Sequence, residues 1–203
     1  MIIQRIEGAG ARFLSMVDDM PERTTRQRWT YAEFARLPSD GKRYEVIAGE
    51  LYVTPAPRPV HQHIVACLLG AVGKHADEHS LGWVLPGPID VLFAEGDYLE
   101  PDLVFLRKDR KAILSDRGLE GPPDLVVEVT SPSTGERDRR LKRERYLHYG
   151  VPEYWVADTA TERLEVYRAD GSSSAHDDVV TWTPHPGAAG LTLDVPPLFR
   201  GFE

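Results

Sequence analysis

PPDLVVEVTSPST, residues 122–134, is the stretch on which the fold turns. Leu125, Val126, Val127 and Val129 form an apolar run bounded by proline and serine, which reads as a buried strand. Glu128 interrupts that run. An ionised carboxylate inside a core strand is expensive unless a partner meets it. Side chains alternate along a strand, so Asp124, Val126, Glu128 and Thr130 share one face, and Leu125, Val127 and Val129 share the other. The tetrapeptide Pro-Asp-Leu-Val recurs at 101–104, within YLEPDLVFL. There Glu100, Asp102 and Val104 share a face. If these two strands are neighbours, Asp102 and Glu128 face one another. Close carboxylates repel and rise in pKa unless a cation lies between them, and an oxygen-rich site of that kind suits Mg²⁺ or Mn²⁺. A second reading stays open at this point. Asp124 ends a loop, and Glu128 pairs with an arginine of the next helix, which offers Arg137, Arg139, Arg140, Arg143 and Arg145.

Outward from this strand, the chain alternates between helical and extended patterns. WTYAEFARLPSDGKR reads as a short helix with Thr30 as N-cap, Glu33 completing a capping box, and a turn at Asp40-Gly41. RYEVIAGELYVTP reads as a hairpin turning at Ala48-Gly49. In PVHQHIVACLLGAVGKHADEH, the residues Val60, Ile64, Leu68, Ala71 and Ala76 recur near helical spacing. GWVLPGPIDVLF and YLEPDLVFL read as strands, and RKDRKAILSDRGLEGP as a polar connection with room for a short helix. STGERDRRLKRERYLHYG reads as a charged helix opening on a Ser133–Glu136 capping box and stopped by Gly150 and Pro152. EYWVAD and RLEVYR are two further strands. The order predicts an α/β (α+β) sandwich with a mixed sheet, extended at its N-terminal side by a helix and a hairpin. Residues 1–27 show no sustained period and read as a loose leader before one domain over 28–203.

The 203 residues, 41% hydrophobic and 28% charged, suit one ordinary globular domain. No apolar run approaches the roughly 20 residues of a membrane helix, and the N-terminus shows no signal-peptide pattern. The single cysteine, Cys67, excludes an internal disulfide and paired Cys/His zinc spacing, and a reducing cytoplasm is the simple expectation. The net charge of −8 argues against binding nucleic acid by bulk electrostatics, so such a function needs a local basic site or bound cations.

EPDLVFL, PPDLVVEVTSPST, Asp138, Lys142 and YGVPEYWVAD together resemble the bacterial Uma-two family, described as endonucleases of the PD-(D/E)XK restriction-endonuclease-like superfamily. The resemblance runs from about Thr30 to Arg168 and includes RYEVIAGELYV and HQHIVACLL. It implies a restriction-endonuclease-like core, Mg²⁺ or Mn²⁺ held by Asp102 and Glu128, and hydrolysis of DNA phosphodiesters. The lysine expected two residues after the second acid falls on Thr130. Other members of the superfamily take that lysine from the following helix, and Lys142 is the matching residue. A bound metal would activate water and neutralise phosphate charge, with Lys142 orienting the nucleophile or stabilising developing charge.

His61 belongs to the resemblance and is set against a half-buried structural role. Glu50 and Asp90 are weighed as further acids against surface, turn or edge charges. His63 reads as a solvated helix residue and Cys67 as a small buried thiol. Tyr154 and Trp155 read as core. Ser131 and Ser133 lack a nucleophile-elbow context. The six cations between Arg137 and Arg145 either form a solvated face or hold a nucleic-acid backbone. Two functions follow from these readings. One is a metal-dependent endonuclease, for which a homodimer would suit double-strand cleavage. The other is a nuclease-fold module with weakened chemistry that binds nucleic acid or protein. The direction in which Lys142 points separates them.

Overall fold

The valine-rich run forms β9 (Leu125–Thr130), and all six of its residues are buried. A strand buried on both faces needs a layer on each side, and the chain supplies both. The computed structural model describes residues 28–54, 56–94, 96–130 and 135–201. The leader and the Ser133 cap lie outside the described residues.

One neighbour of β9 is β6 (Leu103–Arg107), antiparallel, with Leu103 opposite Val127. The other is β10 (Glu153–Asp158), parallel, with Val156 opposite Glu128. β3 (Gly82–Pro86), β11 (Arg163–Arg168) and β12 (Ser173–His176) extend this sheet to the order β12-β11-β10-β9-β6-β3. The sheet is therefore mixed.

The odd-numbered face of β9 meets α2 (Pro59–Glu78), through Ile64, Val65, Leu68, Val72 and Ala76. Pro59 starts this helix at a position where its missing N–H costs nothing. A C-terminal hairpin, β13 (Val179–Trp182) with β14 (Leu191–Asp194), and the short α5 (Pro196–Phe199) complete that layer. Trp182 stands edge-on to Phe105 and to Trp155.

The even-numbered face meets a second sheet, which the one-sheet expectation did not contain. β1 (Arg43–Ile47), β2 (Glu50–Thr54), β4 (Val91–Leu92), β5 (Tyr98–Leu99), β7 (Leu114–Ser115) and β8 (Gly118–Leu119) join in the order β2-β1-β5-β4-β8-β7. Ile47, Val91, Leu99 and Leu119 of this sheet share a core with Val104, Val126 and Val156. The β1–β2 hairpin is thus a wall of the core rather than an appendage. Its two turn residues both have positive φ, 55° at Ala48 and 85° at Gly49, the geometry that matches strand twist in a two-residue turn. α1 (Tyr31–Phe34), with the expected Thr30–Glu33 capping box, covers the outer face through Phe34.

The charged helix runs through α3 (Gly135–Arg137), a π-helical segment Asp138–Lys142, and α4 (Arg143–His148). Residues four apart along this helix stay on one face. Asp138, Lys142 and Tyr146 are all buried along that face.

Candidate active site

Residues 103 and 127 are opposite each other, so the same antiparallel register carried one step further sets Asp102 against Glu128. Both carboxylates line a cavity of about 240 Å³ at this end of the sheet. Segments distant in sequence complete it: Arg43 and Glu45 from β1, Thr54 from β2, His61 from the first turn of α2, and Arg137, Asp138 and Lys142 from the charged helix.

Asp102 is buried and fully engaged by the protein. Its Oδ2 accepts from the Val129 amide at 2.7 Å and from His61 Nε2 at 3.0 Å. Its Oδ1 accepts from Arg43 at 2.5 Å. Burial alone would raise its pKa, but His61, Arg43 and the Val129 amide together hold it well below the usual carboxylate range. Arg43 also donates to the Glu100 carboxylate at 3.0 Å and to the Glu100 carbonyl. Its guanidinium therefore fixes the approach of β6.

Glu128 has a different balance. It is buried, and its Oε1 accepts from Lys142 Nζ at 2.9 Å and from the Tyr146 hydroxyl at 3.2 Å. Burial pushes its pKa well up. Lys142 opposes the rise, while Asp102, Asp138 and Glu45 reinforce it. Lys142 is only 2% exposed, and its ammonium also lies 2.7 Å from Glu45. Desolvation disfavours that charge, but Glu128, Glu45 and Asp138 outweigh it and keep the lysine protonated. Thr130, where the strand lysine was expected, is buried, with its hydroxyl 3.4 Å from Asp158.

Asp102, Glu128, Lys142 and His61 thus meet in one cavity. The alternative pairing of Glu128 with a helix arginine is replaced by pairing with Lys142, whereas Asp124 does end a loop, accepting from the Arg107 amide and from Arg110, each at 2.9 Å. Glu50 is exposed on the hairpin and does not line the cavity; the hairpin acid that does is Glu45. Arg43, Glu45 and Ile47 alternate on β1, so an inward face was readable once Ile47 was placed in the core. Asp90 lies elsewhere, in a separate depression with Glu100 and Asp116. Its pKa rises to about 6, through burial first and then Glu100 and Glu45. His63 is half-buried rather than solvated, 2.9 Å from the Arg200 carbonyl and 3.5 Å from the half-buried Cys67. Tyr154 and Trp155 are core. Ser131 and Ser133 lie outside the described residues.

The basic run is neither a solvated face nor one continuous surface. Arg139 pairs with Asp158 at 2.6 Å and Glu165 at 2.9 Å. Arg143 stacks on Tyr167, and Arg145 lies 3.6 Å from Asp97. Lys142 and Arg137 face the cavity, and Arg140 is exposed.

Asp102 and Glu128 are the two carboxylates of the cavity that could hold a divalent cation. Among the described residues, no three carboxylate, histidine or cysteine groups close into a metal cage. Mg²⁺ does not need one, since it commonly takes one or two carboxylates and completes its shell with water and phosphate oxygen. Crowded carboxylates that raise the proton affinity of Glu128 are a setting in which such a cation is favoured.

Comparison with known proteins bears on this arrangement. No curated protein matches the chain. A solved structure from Anabaena variabilis ATCC 29413, titled as a putative nuclease belonging to DUF820, matches with a TM-score of 0.71 at 21% identity. The match covers 84% of this chain and 97% of that one, and it shows the same fold. Among the described residues, no helix is long and apolar enough to cross a membrane. The family model Uma2, described as "Putative restriction endonuclease", matches residues 31–196, most of the chain and every segment that lines the cavity, so the chain belongs to that family.

Proposed function

We propose that this protein is a divalent-metal-dependent endonuclease that hydrolyses phosphodiester bonds in DNA in the cytoplasm. The observation that carries the reading is Lys142: its ammonium lies 2.9 Å from Glu128, beside the Asp102 cavity, although it comes from the helix and not from strand position 130. Asp102 and Glu128 would hold Mg²⁺ or Mn²⁺. Such an ion supplies Lewis-acid activation of water and neutralisation of phosphate charge.

The chain's own residues do the rest. Val129, Arg43 and His61 fix the Asp102 carboxylate in its ionised form. Lys142 places a buried positive charge where negative charge develops, and low solvent exposure strengthens its effect. His61 Nε2 donates to Asp102, which leaves Nδ1 with a lone pair. That buried nitrogen has no hydrogen-bond partner among the described residues, and it can accept from, and so orient, a water molecule.

A second reading is favoured by the same closed network. Arg43 already pairs with Asp102 and His61 hydrogen-bonds to it, as a nuclease-fold binding module with weakened chemistry would require. Supercoiled-plasmid cleavage with Mg²⁺ or Mn²⁺ separates the two. The nuclease reading expects nicking by wild type that is lost in Asp102→Asn, Glu128→Gln and Lys142→Met. Wild-type protein that binds plasmid without nicking it, or nicking indifferent to all three changes, would establish the binding module or a contaminant instead.

A further inference from the structure

Most cations around the cavity have their donors committed. Arg43 gives its Nε and both terminal nitrogens to Glu100 and Asp102. Lys142 lies between Glu45 and Glu128. Arg139 and Arg145 are turned to acids outside the cavity.

Arg137 differs. It lines the cavity, and one terminal nitrogen donates to Thr54 Oγ1 at 3.2 Å. Its guanidinium lies over the Tyr52 ring, 5.5 Å from the centroid. Thr54 and Tyr52 both belong to β2, so the hairpin fixes the plane of this group. It forms long ion pairs with Asp138 at 3.7 Å and Glu45 at 3.9 Å, both beyond hydrogen-bond reach. Its Nε is buried and has no hydrogen-bond partner among the described residues. A buried charged donor without an acceptor is costly to the fold and is a place where an incoming oxygen is gained at full value. A guanidinium held in one plane, with its Nε–H open, matches the non-bridging oxygens of a phosphate. Arg58, exposed at the same cavity and making no ion pair with any described residue, adds positive potential at the mouth.

We infer that Arg137, held in plane by Thr54 and Tyr52, is the phosphate-anchoring residue of this cavity, and that it binds a phosphodiester oxygen before any chemistry occurs. The inference rests on the nuclease reading for its ligand class, and it separates from that reading by experiment. The measurement is fluorescence anisotropy of a labelled 20-base-pair DNA duplex without divalent cation, over a series of salt concentrations. Arg137→Gln, Arg137→Lys, Thr54→Val and Arg140→Gln are compared with wild type, each after circular dichroism shows a folded protein.

Arg137→Gln should weaken binding about tenfold and lower the salt slope by about one. Arg137→Lys keeps the charge but loses the planar fork, so it should fall between the two. Thr54→Val leaves the charge intact and should weaken binding about threefold through lost orientation. Arg140→Gln, on the same helix but exposed, should stay within about twofold of wild type. Wild type that does not bind, Arg137→Gln that binds like wild type, or an equal loss in Arg140→Gln overturns the inference. If anisotropy behaves as expected but plasmid is never nicked, the anchor stands and the nuclease reading fails. If plasmid is nicked with KM unchanged in Arg137→Gln, the nuclease reading stands and the anchor fails.

Discussion

Replacing Lys142 with methionine tests the electrostatic account of the site without assuming any activity. In the folded protein its ammonium lies 2.9 Å from Glu128 and 2.7 Å from Glu45, and all three side chains are nearly inaccessible to water. Methionine fills a similar volume but leaves both carboxylates buried without their shared cation. Breaking a buried pair in this way costs about 3–5 kcal/mol. For a domain of this size, each kcal/mol moves Tm by roughly 2–4 °C, so the expected drop is roughly 6–20 °C. The sign of the pH dependence is fixed by Glu128. Its folded pKa is raised, so its contribution to stability is fully present below its unfolded value and is lost as pH rises through the folded value. Lys142→Met should therefore cost less at pH 5, where Glu128 can take up a proton, than at pH 8. Lys142→Met/Glu128→Gln should recover at least about 1 kcal/mol relative to the single variant, because one uncompensated charge is gone. Thermal unfolding followed by circular dichroism at both pH values measures all of this. A single variant as stable as wild type, a loss equal at pH 5 and pH 8, or a double variant no better than the single would refute the reasoning.

Other expectations follow from separate features. Mn²⁺ titrated by calorimetry should bind wild type and bind Asp102→Asn at least about tenfold more weakly, since one of two carboxylates is lost; equal affinity would remove Asp102 from the metal site. Asp90→Asn should stabilise the protein at pH 8 by up to about 1 kcal/mol after solvent screening, and by almost nothing near pH 4. The raised pKa of about 6 means that stability falls as Asp90 ionises, and a Tm–pH profile identical to wild type would contradict this. Gly49→Val places a branched side chain at φ 85°, where its Cβ would sit 2.8 Å from the Arg28 side chain, and should cost about 1–3 kcal/mol in urea unfolding. Trp155→Ala, in the core beside Trp182, should cost about 3–5 kcal/mol; a loss below about 1 kcal/mol would mean that this layer is not packed as described.

How much of this was legible in the sequence depended on the range of the rule applied. Alternation along two strands placed Asp102 and Glu128 on facing sides, because a period of two needs only local information. The Thr30 capping box and the Ala48-Gly49 turn were legible for the same reason. Lys142 was reachable through the family resemblance, but the π segment that it closes is not announced by spacing. Glu45 and Arg43 were missed because their strand belongs to a second sheet stacked on the first. That stacking is decided by a shared core in which Ile47 joins Val104 and Val126, far apart in sequence. Glu50 was considered in place of Glu45 because a hairpin read alone does not reveal which of its faces has a partner. The basic run could not be resolved by composition. Asp158, Glu165 and Asp97, which neutralise Arg139 and Arg145, come from other strands and loops.

The walls of the cavity come from six stretches of the chain, and its bonds span long separations: 41 residues from His61 to Asp102, 59 from Arg43 to Asp102, and 83 from Thr54 to Arg137. None of these contacts can form until both partners have left the ribosome, and Lys142 follows the entire hairpin, α2 and both acidic strands. A nascent chain that has reached residue 100 therefore carries Arg43, Glu45 and His61 without Asp102, Glu128 or Lys142. The cavity is therefore assembled only late in synthesis and is dismantled again on partial unfolding.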